Sequence, residues 1–215
     1  MGSIFGITRR AAAAVGAPAT FAEALRPGAE LTAAGYCVYG PSTQLVLAFQ
    51  GDVVNVFTLD PAIGEFILSQ PALRIPAAPQ RIYSMNEGNV ASFPRYVQRF
   101  AEAAKIGAKP YSLRYTGSMV ADVHRTLLYG GVFLYPATAA APDGKLRLLY
   151  ECAPMALLME AAGGRAVAVG EKSRILDIVP AAPHAKSPII LGCARDVDHL
   201  CALAGDWQGG GAAPA

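Results

Sequence analysis

The sequence predicts an α+β or α/β protein built in two parts: mostly antiparallel strands first, then helices packed on a mixed sheet. Up to about residue 70, short runs rich in β-branched and aromatic residues alternate with Gly, Pro, Ser and Asp. After residue 80, apolar residues at helical spacing separate the strand-like runs. With 215 residues, 53% hydrophobic and 16% charged, the chain can bury a core in one large domain or two small ones.

The first part, residues 1–70, is predicted to contain five strands. These are SIFGI (3–7), YCVYG (36–40), QLVLAF (44–49), VVNVFTL (53–59) and EFILS (65–69). Gly51 and Asp52 lie between the third and fourth strands at hairpin spacing. Residues 71–80, which are rich in proline and alanine, are interpreted as a connector to the second part.

The second part, residues 81–204, is predicted to alternate strands with helices. The strands are VFLYP (132–136), LRLLY (146–150), AVAV (166–169) and IILG (189–192). Apolar spacing predicts helices around 96–104, 118–129, 154–162 and 196–203. The pair Gly163 and Gly164 is typical of a helix end. Residues 205–215 are predicted to form a disordered tail.

Composition excludes several classes of partner. The net charge is only +2 and the sequence has no block of like charge, which argues against nucleic acid or an anionic membrane as partners. The longest uncharged stretch, residues 127–142, is interrupted by glycine and proline and is too short to span a membrane. The four cysteines are widely scattered, so we interpret them as reduced core thiols and not as a disulfide framework or a zinc site.

The stretch RYTGSMVADVHRTLLYGG (114–131) places Thr116, Gly117 and Ser118 at the start of a predicted helix. Unpaired backbone N–H groups, the helix dipole and a hydroxyl at such a start suit a phosphate or carboxylate. An ordinary helix capped by Ser118, with no ligand, fits the same residues. From these residues alone, both interpretations stay open.

Further polar groups lie on either side of this stretch. The turn at Asp143 and Gly144 presents Lys145 and, two residues later on the same strand face, Arg147. Glu151 ends that predicted strand, where it could form an ion pair or bind a hard divalent metal ion. The turn at residues 84–89 could hydrogen-bond a sugar or phosphate, or simply reverse the chain.

Together these segments resemble the class I fructose-1,6-bisphosphatases of the cytosolic eukaryotic type. The resemblance rests on IYSMNEGN (82–89), RYTGSMVADVHRTLLYGGVFLYP (114–136), GKLRLLYECAPMALLMEAAGG (144–164), SIFGI, AAGYCVYG and LDPAIGEFIL, and it extends from residue 3 to about 204. It implies a sugar-phosphatase fold with a partial antiparallel-sheet first domain and an α/β/α layered C-terminal domain. The implied activity is the magnesium-dependent hydrolysis of fructose 1,6-bisphosphate to fructose 6-phosphate, in gluconeogenesis, by a cytoplasmic homotetramer that AMP inhibits.

The resemblance also implies roles for individual residues. Four of them match residues that hold the 6-phosphate: Asn86, Tyr115, Tyr135 and Lys145. Arg114 matches an arginine that reaches this phosphate in a neighbouring subunit, and Arg147 matches one near the sugar and the 1-phosphate. The other residues assigned to substrate are Glu87, Gly88, Asn89, Gly117, Ser118, Met119 and Leu146. Glu151 matches a metal ligand, and Arg9 matches a position near AMP.

The sequence departs from the family where most metal ligands are expected. The motif Asp-Pro-(Ile/Leu)-Asp-Gly-Ser-Ser and the glutamate pair that precedes it in the family are not found, and residues 60–65 do not replace them. We therefore expect a truncated chain, or one completed by another chain, that is inactive alone. The alternative is a noncatalytic sugar-phosphate-binding or subunit-interaction module; a related inositol-type phosphatase fits the residues less well.

Expected partners are fructose 1,6-bisphosphate or fructose 6-phosphate and a second copy or full-length homologue. We expect His124 and Arg125 to serve packing or subunit contacts and not catalysis.

Overall fold

The first sheet contains five antiparallel strands in chain order. The structure, a computed structural model, describes residues 1–10, 16, 18, 20–169 and 173–205. The strands of this sheet are β1 (Gly2–Thr8), β2 (Leu31–Val38), β3 (Gln44–Phe49), β4 (Val54–Asp60) and β5 (Glu65–Leu73). The hairpin between β3 and β4 turns at Gly51, which has a positive φ of 75°, as the sequence predicts.

The connection from β1 to β2 spans residues 9–30 and contains two elements that the sequence analysis does not predict. It contains helix α1 (Phe21–Ala24) and a 3₁₀ turn (Gly28–Glu30). Thr20 and Glu23 form a capping box around α1, in which the Glu23 carboxylate accepts the Thr20 N–H at 2.8 Å. Such a short helix has no apolar periodicity, so only its cap could have indicated it.

The second sheet has six strands in the order β11-β10-β13-β8-β6-β7. They are β6 (Ile82–Ser84), β7 (Ser112–Leu113), β8 (Val132–Tyr135), β10 (Gly164–Ala168), β11 (Ser173–Arg174) and β13 (Ile189–Cys193). Strand β6 pairs in parallel with both β7 and β8, and the remaining pairs are antiparallel. Helix α2 (Arg95–Ala104) connects β6 to β7, and helix α3 (Met119–Tyr129) connects β7 to β8. These crossover helices make the parallel pairing possible.

Two helices lie on each face of the second sheet. One core lies between the two sheets and surrounds α3 and α4 (Ala153–Ala161); Tyr36, Val123 and Leu158 are fully buried in it. The other core packs α2 and α5 (Ala194–Leu203) against the far face, around Phe100 and Leu200. The second part is therefore an α/β/α arrangement, as the resemblance implies.

The segment after residue 145 differs from the predicted strand LRLLY (146–150). Only Leu146–Arg147 is extended, as strand β9, which pairs with β12 (Lys186–Ser187). The chain then forms a π-helical turn (Leu148–Cys152) that continues into α4. A short apolar run does not distinguish a strand from a buried helix. Here the helical form continues into the packed helix α4 and places Leu148 and Cys152, four residues apart, in the core.

Several smaller features complete the fold. Strand β5 runs to Leu73, into the predicted connector, and the proposed domain bounds stay a prediction. Two 3₁₀ segments span Glu87–Ser92 and Ile175–Asp177. All four cysteines are free; three are buried and Cys37 is half-buried. Residues 206–215 of the predicted tail lie outside the described residues. Within the described part of the chain, no helix is long and apolar enough to cross a membrane.

Candidate functional site

The carboxyl ends of three parallel strands meet at one edge of the second sheet. Strand β6 leads into Asn86, β7 leads into Arg114 and Tyr115, and β8 ends at Tyr135. Because β7, β6 and β8 are parallel neighbours, these residues come to the same edge. This edge is where open α/β sheets bind their ligands.

Tyr115 and Tyr135 interact electrostatically at this edge. Partial burial raises the pKa of Tyr115, and the neighbouring Tyr135 and Asp122 raise it further. Both tyrosines are half-buried, and a tyrosine hydroxyl can donate a hydrogen bond to a ligand at this edge.

The turn before β9 brings Lys145 to the same region. Gly144 has a φ of 73°, and a Cβ built on it would lie 2.5 Å from the Ser187 carbonyl carbon. Only glycine therefore allows the turn to lie against Ser187 and Pro188. The next residue, Ile189, pairs with Tyr135, so Lys145 follows a turn fixed beside the end of β8. Lys145 itself is exposed.

The start of α3 leaves backbone donors toward the same edge. The first hydrogen bond within the helix runs from the Asp122 N–H to the Ser118 carbonyl, 2.9 Å, so the preceding N–H groups have no acceptor inside the helix. Among the described residues, Ser118 finds no capping partner for its side chain, which removes the simple capping interpretation. Gly117 has a φ of 79°, a conformation that favours glycine, and Met119 packs partly against the core.

A buried ion pair that the sequence reading missed lies beneath this helix start. The Asp122 carboxylate, at 0% exposure, accepts hydrogen bonds from the Thr116 N–H at 3.1 Å and from the Thr116 hydroxyl at 3.1 Å. Arg125 donates from one nitrogen to Asp122 at 2.8 Å and to the Arg114 carbonyl at 2.7 Å. Asp122 and Arg125 are three residues apart on the helix, and this spacing was the available signal.

His124 on the same helix serves packing, as the sequence analysis expected. Its Nδ1 forms a hydrogen bond of 2.9 Å with the buried Tyr36 hydroxyl, which joins α3 to the first sheet. Burial lowers the pKa of His124.

The 3₁₀ segment after β6 is fixed at its base by Glu87. The Glu87 carboxylate accepts the Tyr83 hydroxyl at 2.8 Å and pairs with Lys105. Although burial alone raises the pKa of Glu87, the hydrogen bonds from Lys105 and Tyr83 lower it overall. Glu87 thus binds protein groups, whereas Asn86, Gly88 and Asn89 are exposed.

Arg147 and Glu151 are joined by a backbone contact. The Glu151 carboxylate accepts the Arg147 N–H at 2.7 Å, and the Arg147 guanidinium donates to the Lys145 carbonyl at 2.8 Å. Glu151 lies in the π-helical turn and not at a strand end, which corrects the prediction of its position. Leu146 packs partly against the core, and Arg9 is exposed just after β1.

The described residues do not fit a complete magnesium site. Across residues 1–10, 16, 18, 20–169 and 173–205, no three His, Cys, Asp or Glu side chains cluster in a way that could hold a metal ion. Glu151 offers a single carboxylate, one oxygen of which already accepts a hydrogen bond. Hard divalent cations need several oxygen ligands, so no catalytic step is derived through a metal here.

Fold and site together define an α+β protein with a donor-rich edge on its second sheet, at a position suited to a small anionic ligand. Comparisons with known proteins specify the class further. Family models described as the N-terminal and C-terminal domains of fructose-1,6-bisphosphatase match residues 1–71 and 75–205, respectively. This chain belongs to the fructose-1,6-bisphosphatase family.

Curated relatives support the same assignment. A protein named cytosolic fructose-1,6-bisphosphatase from a Saccharum hybrid is 54% identical over 187 residues, which cover 86% of this chain and 53% of the relative. Proteins with this name from Arabidopsis thaliana and Solanum tuberosum are 53% and 50% identical, covering 86% and 93% of this chain and 54% and 58% of their own lengths. The chain thus spans about half the length of the curated relatives it matches.

Proposed function

We propose that this chain supplies the sugar-phosphate-binding part of a fructose-1,6-bisphosphatase. The enzyme would hydrolyse the 1-phosphate of fructose 1,6-bisphosphate to give fructose 6-phosphate, in gluconeogenesis. Family membership over both domains supports this proposal, as do relatives whose name states this activity. These relatives are named cytosolic, so we propose the cytosol as the place where the chain acts.

One observation carries the proposal: hydrogen-bond donors converge where three parallel strands end. Asn86, Tyr115 and Tyr135 follow or end these strands, and the Gly144 turn presents Lys145 beside them. An amide, two phenols and an ammonium group provide neutral and charged donors for the oxygens of a phosphate dianion. We assign this donor set to the 6-phosphate, the group that remains in both substrate and product.

The sugar and the 1-phosphate would lie further toward β9 and α3. Arg147, which is half-buried, is proposed to approach the sugar and the 1-phosphate. The free N–H groups at the start of α3 add backbone donors, and Gly117 allows the chain to pass close to the ligand. The Arg147 N–H donates to the Glu151 carboxylate, and the Arg147 guanidinium donates to the Lys145 carbonyl. These two hydrogen bonds hold the Arg147 side chain beside the turn that carries Lys145.

Arg114 supports the proposal of a homo-oligomer. It is exposed, and its guanidinium donates to the adjacent Leu113 carbonyl at 2.9 Å. An exposed arginine next to the phosphate site is suited to reach the same site in a second copy of the chain. We propose that assembly, up to the homotetramer implied by the family resemblance, completes the cluster of positive charge.

We propose magnesium only because the reaction requires a metal ion. A metal ion in such an enzyme would neutralise the charge of the transferred phosphoryl group and activate water. Glu151 is proposed as one ligand, and the described residues do not supply the others. We therefore expect this chain alone to bind fructose 6-phosphate but to release phosphate from fructose 1,6-bisphosphate no faster than a protein-free magnesium control.

The direct test is calorimetric titration of the full chain with fructose 6-phosphate and, separately, with fructose. Replacement of Lys145 by alanine removes one charged hydrogen bond, worth about 1.5–3 kcal/mol, so affinity should fall roughly 10- to 100-fold. Lys109→Ala is the matched control, because Lys109 is equally exposed but precedes β7 and thus lies at the opposite edge of the sheet. Tyr115→Phe should weaken binding, whereas Tyr129→Phe at the end of α3 should not.

Two results would overturn the proposal. One is saturable binding of fructose that equals the binding of fructose 6-phosphate, because the site would then recognise no phosphate. The other is equal loss of affinity in Lys145→Ala and Lys109→Ala, because the cation effect would then be general and not local.

A further inference from the structure

The segment that carries Arg114, Tyr115 and Gly117 is held in place by two side chains of α3, Asp122 and Arg125. Strand β7 ends at Leu113, and the Arg114 N–H still donates to the Tyr83 carbonyl of β6 at 2.9 Å. Beyond Arg114, the geometry of the segment depends on local hydrogen bonds. The Asp122 carboxylate binds both the N–H and the hydroxyl of Thr116, and the Arg125 guanidinium binds the carbonyl that precedes Tyr115. These bonds fix the backbone on both sides of Tyr115.

The network continues to the helix start. The Thr116 hydroxyl, which donates to Asp122, also accepts the Ser118 N–H at 3.3 Å. The chain from Arg125 through Asp122 and Thr116 to Ser118 therefore covers the whole turn. Because Asp122 is fully buried and Arg125 is only 17% exposed, water competes little for these bonds.

Charge balance gives Arg125 a second role. An unpaired carboxylate four residues into the helix would oppose a phosphate at the same helix start. The Arg125 guanidinium donates to Asp122 at 2.8 Å, on the same carboxylate oxygen that accepts the Thr116 N–H, and compensates the charge of the carboxylate. The pair thus supplies an acceptor for the turn at little electrostatic cost to an anion.

We propose that Asp122 and Arg125 are positioning residues for the sugar-phosphate site: they shape the segment Arg114–Ser118 so that its donors meet the ligand. The inference rests on the proposed function, since it needs that ligand. It assigns a role to a buried ion pair that would otherwise be read as packing. It also explains how a segment beyond the end of β7 can present donors with a fixed geometry.

The experiment compares three variants of the full chain. Asp122→Asn replaces one acceptor oxygen by an amide, and Arg125→Met removes the guanidinium but keeps an apolar stem. Fructose 6-phosphate affinity should fall roughly 10- to 100-fold in each, by the loss of one or two charged hydrogen bonds. The matched control is Asp196→Asn, because Asp196 is 2% exposed and paired with Arg195 and the Tyr111 hydroxyl, yet lies at the opposite end of the sheet.

A fourth variant separates positioning from stability. Arg125→Met leaves Asp122 as a buried carboxylate without its cation, whereas the double variant Asp122→Asn/Arg125→Met removes that charge as well. The double variant should therefore recover thermal stability relative to Arg125→Met but not recover affinity. Amide hydrogen exchange at Thr116 and Ser118 should be faster in every variant of this pair and unchanged in Asp196→Asn.

The possible outcomes are distinct. Loss of affinity with faster exchange at Thr116, and unchanged affinity in Asp196→Asn, supports the inference. Unchanged affinity in Asp122→Asn and Arg125→Met, with normal binding by the unsubstituted chain, overturns the inference and leaves the proposed function intact. No saturable binding of fructose 6-phosphate by the unsubstituted chain overturns the proposed function, and the inference with it.

Discussion

Replacement of Gly144 by alanine tests how Lys145 reaches the site. Gly144 has a φ of 73°, which costs a residue with a side chain about 1–2 kcal/mol. The new Cβ would also lie 2.5 Å from the Ser187 carbonyl carbon and 2.6 Å from its oxygen, well inside ordinary contact at 3.4 Å. These atoms belong to the backbone and cannot rotate away, so the turn must move from Ser187 and Pro188.

The expected loss of stability is the sum of the conformational cost at positive φ and the cost of the close contact with Ser187. Overpacking adds about 1–3 kcal/mol to the conformational cost, so we expect Gly144→Ala to destabilise the fold by about 2–5 kcal/mol. The displaced turn carries Lys145 away from Tyr135, and affinity for fructose 6-phosphate should fall about tenfold or more.

Gly163 provides the control. It has a φ of 89°, but no atom lies within 4 Å of a built Cβ, so Gly163→Ala carries the conformational term alone. Urea unfolding measures stability, and calorimetry measures affinity at a urea concentration of zero. Equal destabilisation in Gly144→Ala and Gly163→Ala, together with unchanged affinity in both, would refute the reasoning.

Three further predictions follow from burial and charge. In the native chain a thiol reagent should modify Cys37 first, because burial raises the pKa of Cys152 and excludes the reagent, whereas all four thiols should react together in urea. Burial holds the pKa of His124 below its ordinary value of 6.5, so the stability that neutral His124 contributes is fully present above pH 6.5 and falls as the pH decreases below it. His124→Gln should therefore flatten a profile of melting temperature from pH 7.5 to 5, and an unchanged slope would contradict this. The Arg10 guanidinium lowers the pKa of the Glu23 carboxyl to about 2. The stability that ionised Glu23 contributes is therefore fully present above pH 4.5 and is lost as the pH falls through 2. Glu23→Gln should remove this loss from an acid-unfolding profile, and an unchanged profile would contradict the prediction.

The sequence was a good guide to the regular elements. Runs rich in β-branched and aromatic residues located the strands of the first sheet, although β2 begins five residues before the predicted YCVYG (36–40). Apolar spacing located α2 through α5. The prediction of a strand over LRLLY (146–150) was wrong, because a leucine such as Leu148 can be buried on either a helix or a strand. The packing of α4, which follows directly, makes this segment helical. Helix α1 was missed because its four residues bury no side chain.

The site was only partly accessible from sequence. Local chemistry indicated the helix-start donors, the Gly144 turn and the polar turn that contains Asn86. The role of Tyr135 and the assignment of Asn86 to the 6-phosphate came from the family resemblance alone. The parallel order of β7, β6 and β8, which brings these residues to one edge, depends on tertiary pairing. The role of Asp122 also depends on tertiary structure, because an acidic residue early in a helix is ordinary until its carboxylate is seen to be buried on Thr116.

A crystal structure of the full chain soaked with fructose 6-phosphate tests directly the central claim that this edge of the second sheet binds the 6-phosphate. The account predicts phosphate oxygens within hydrogen-bond distance of the Tyr115 and Tyr135 hydroxyls and the Lys145 ammonium group, at the carboxyl edge of β6, β7 and β8. Density for the sugar phosphate elsewhere on the chain, with these three groups bonded only to water, would contradict it.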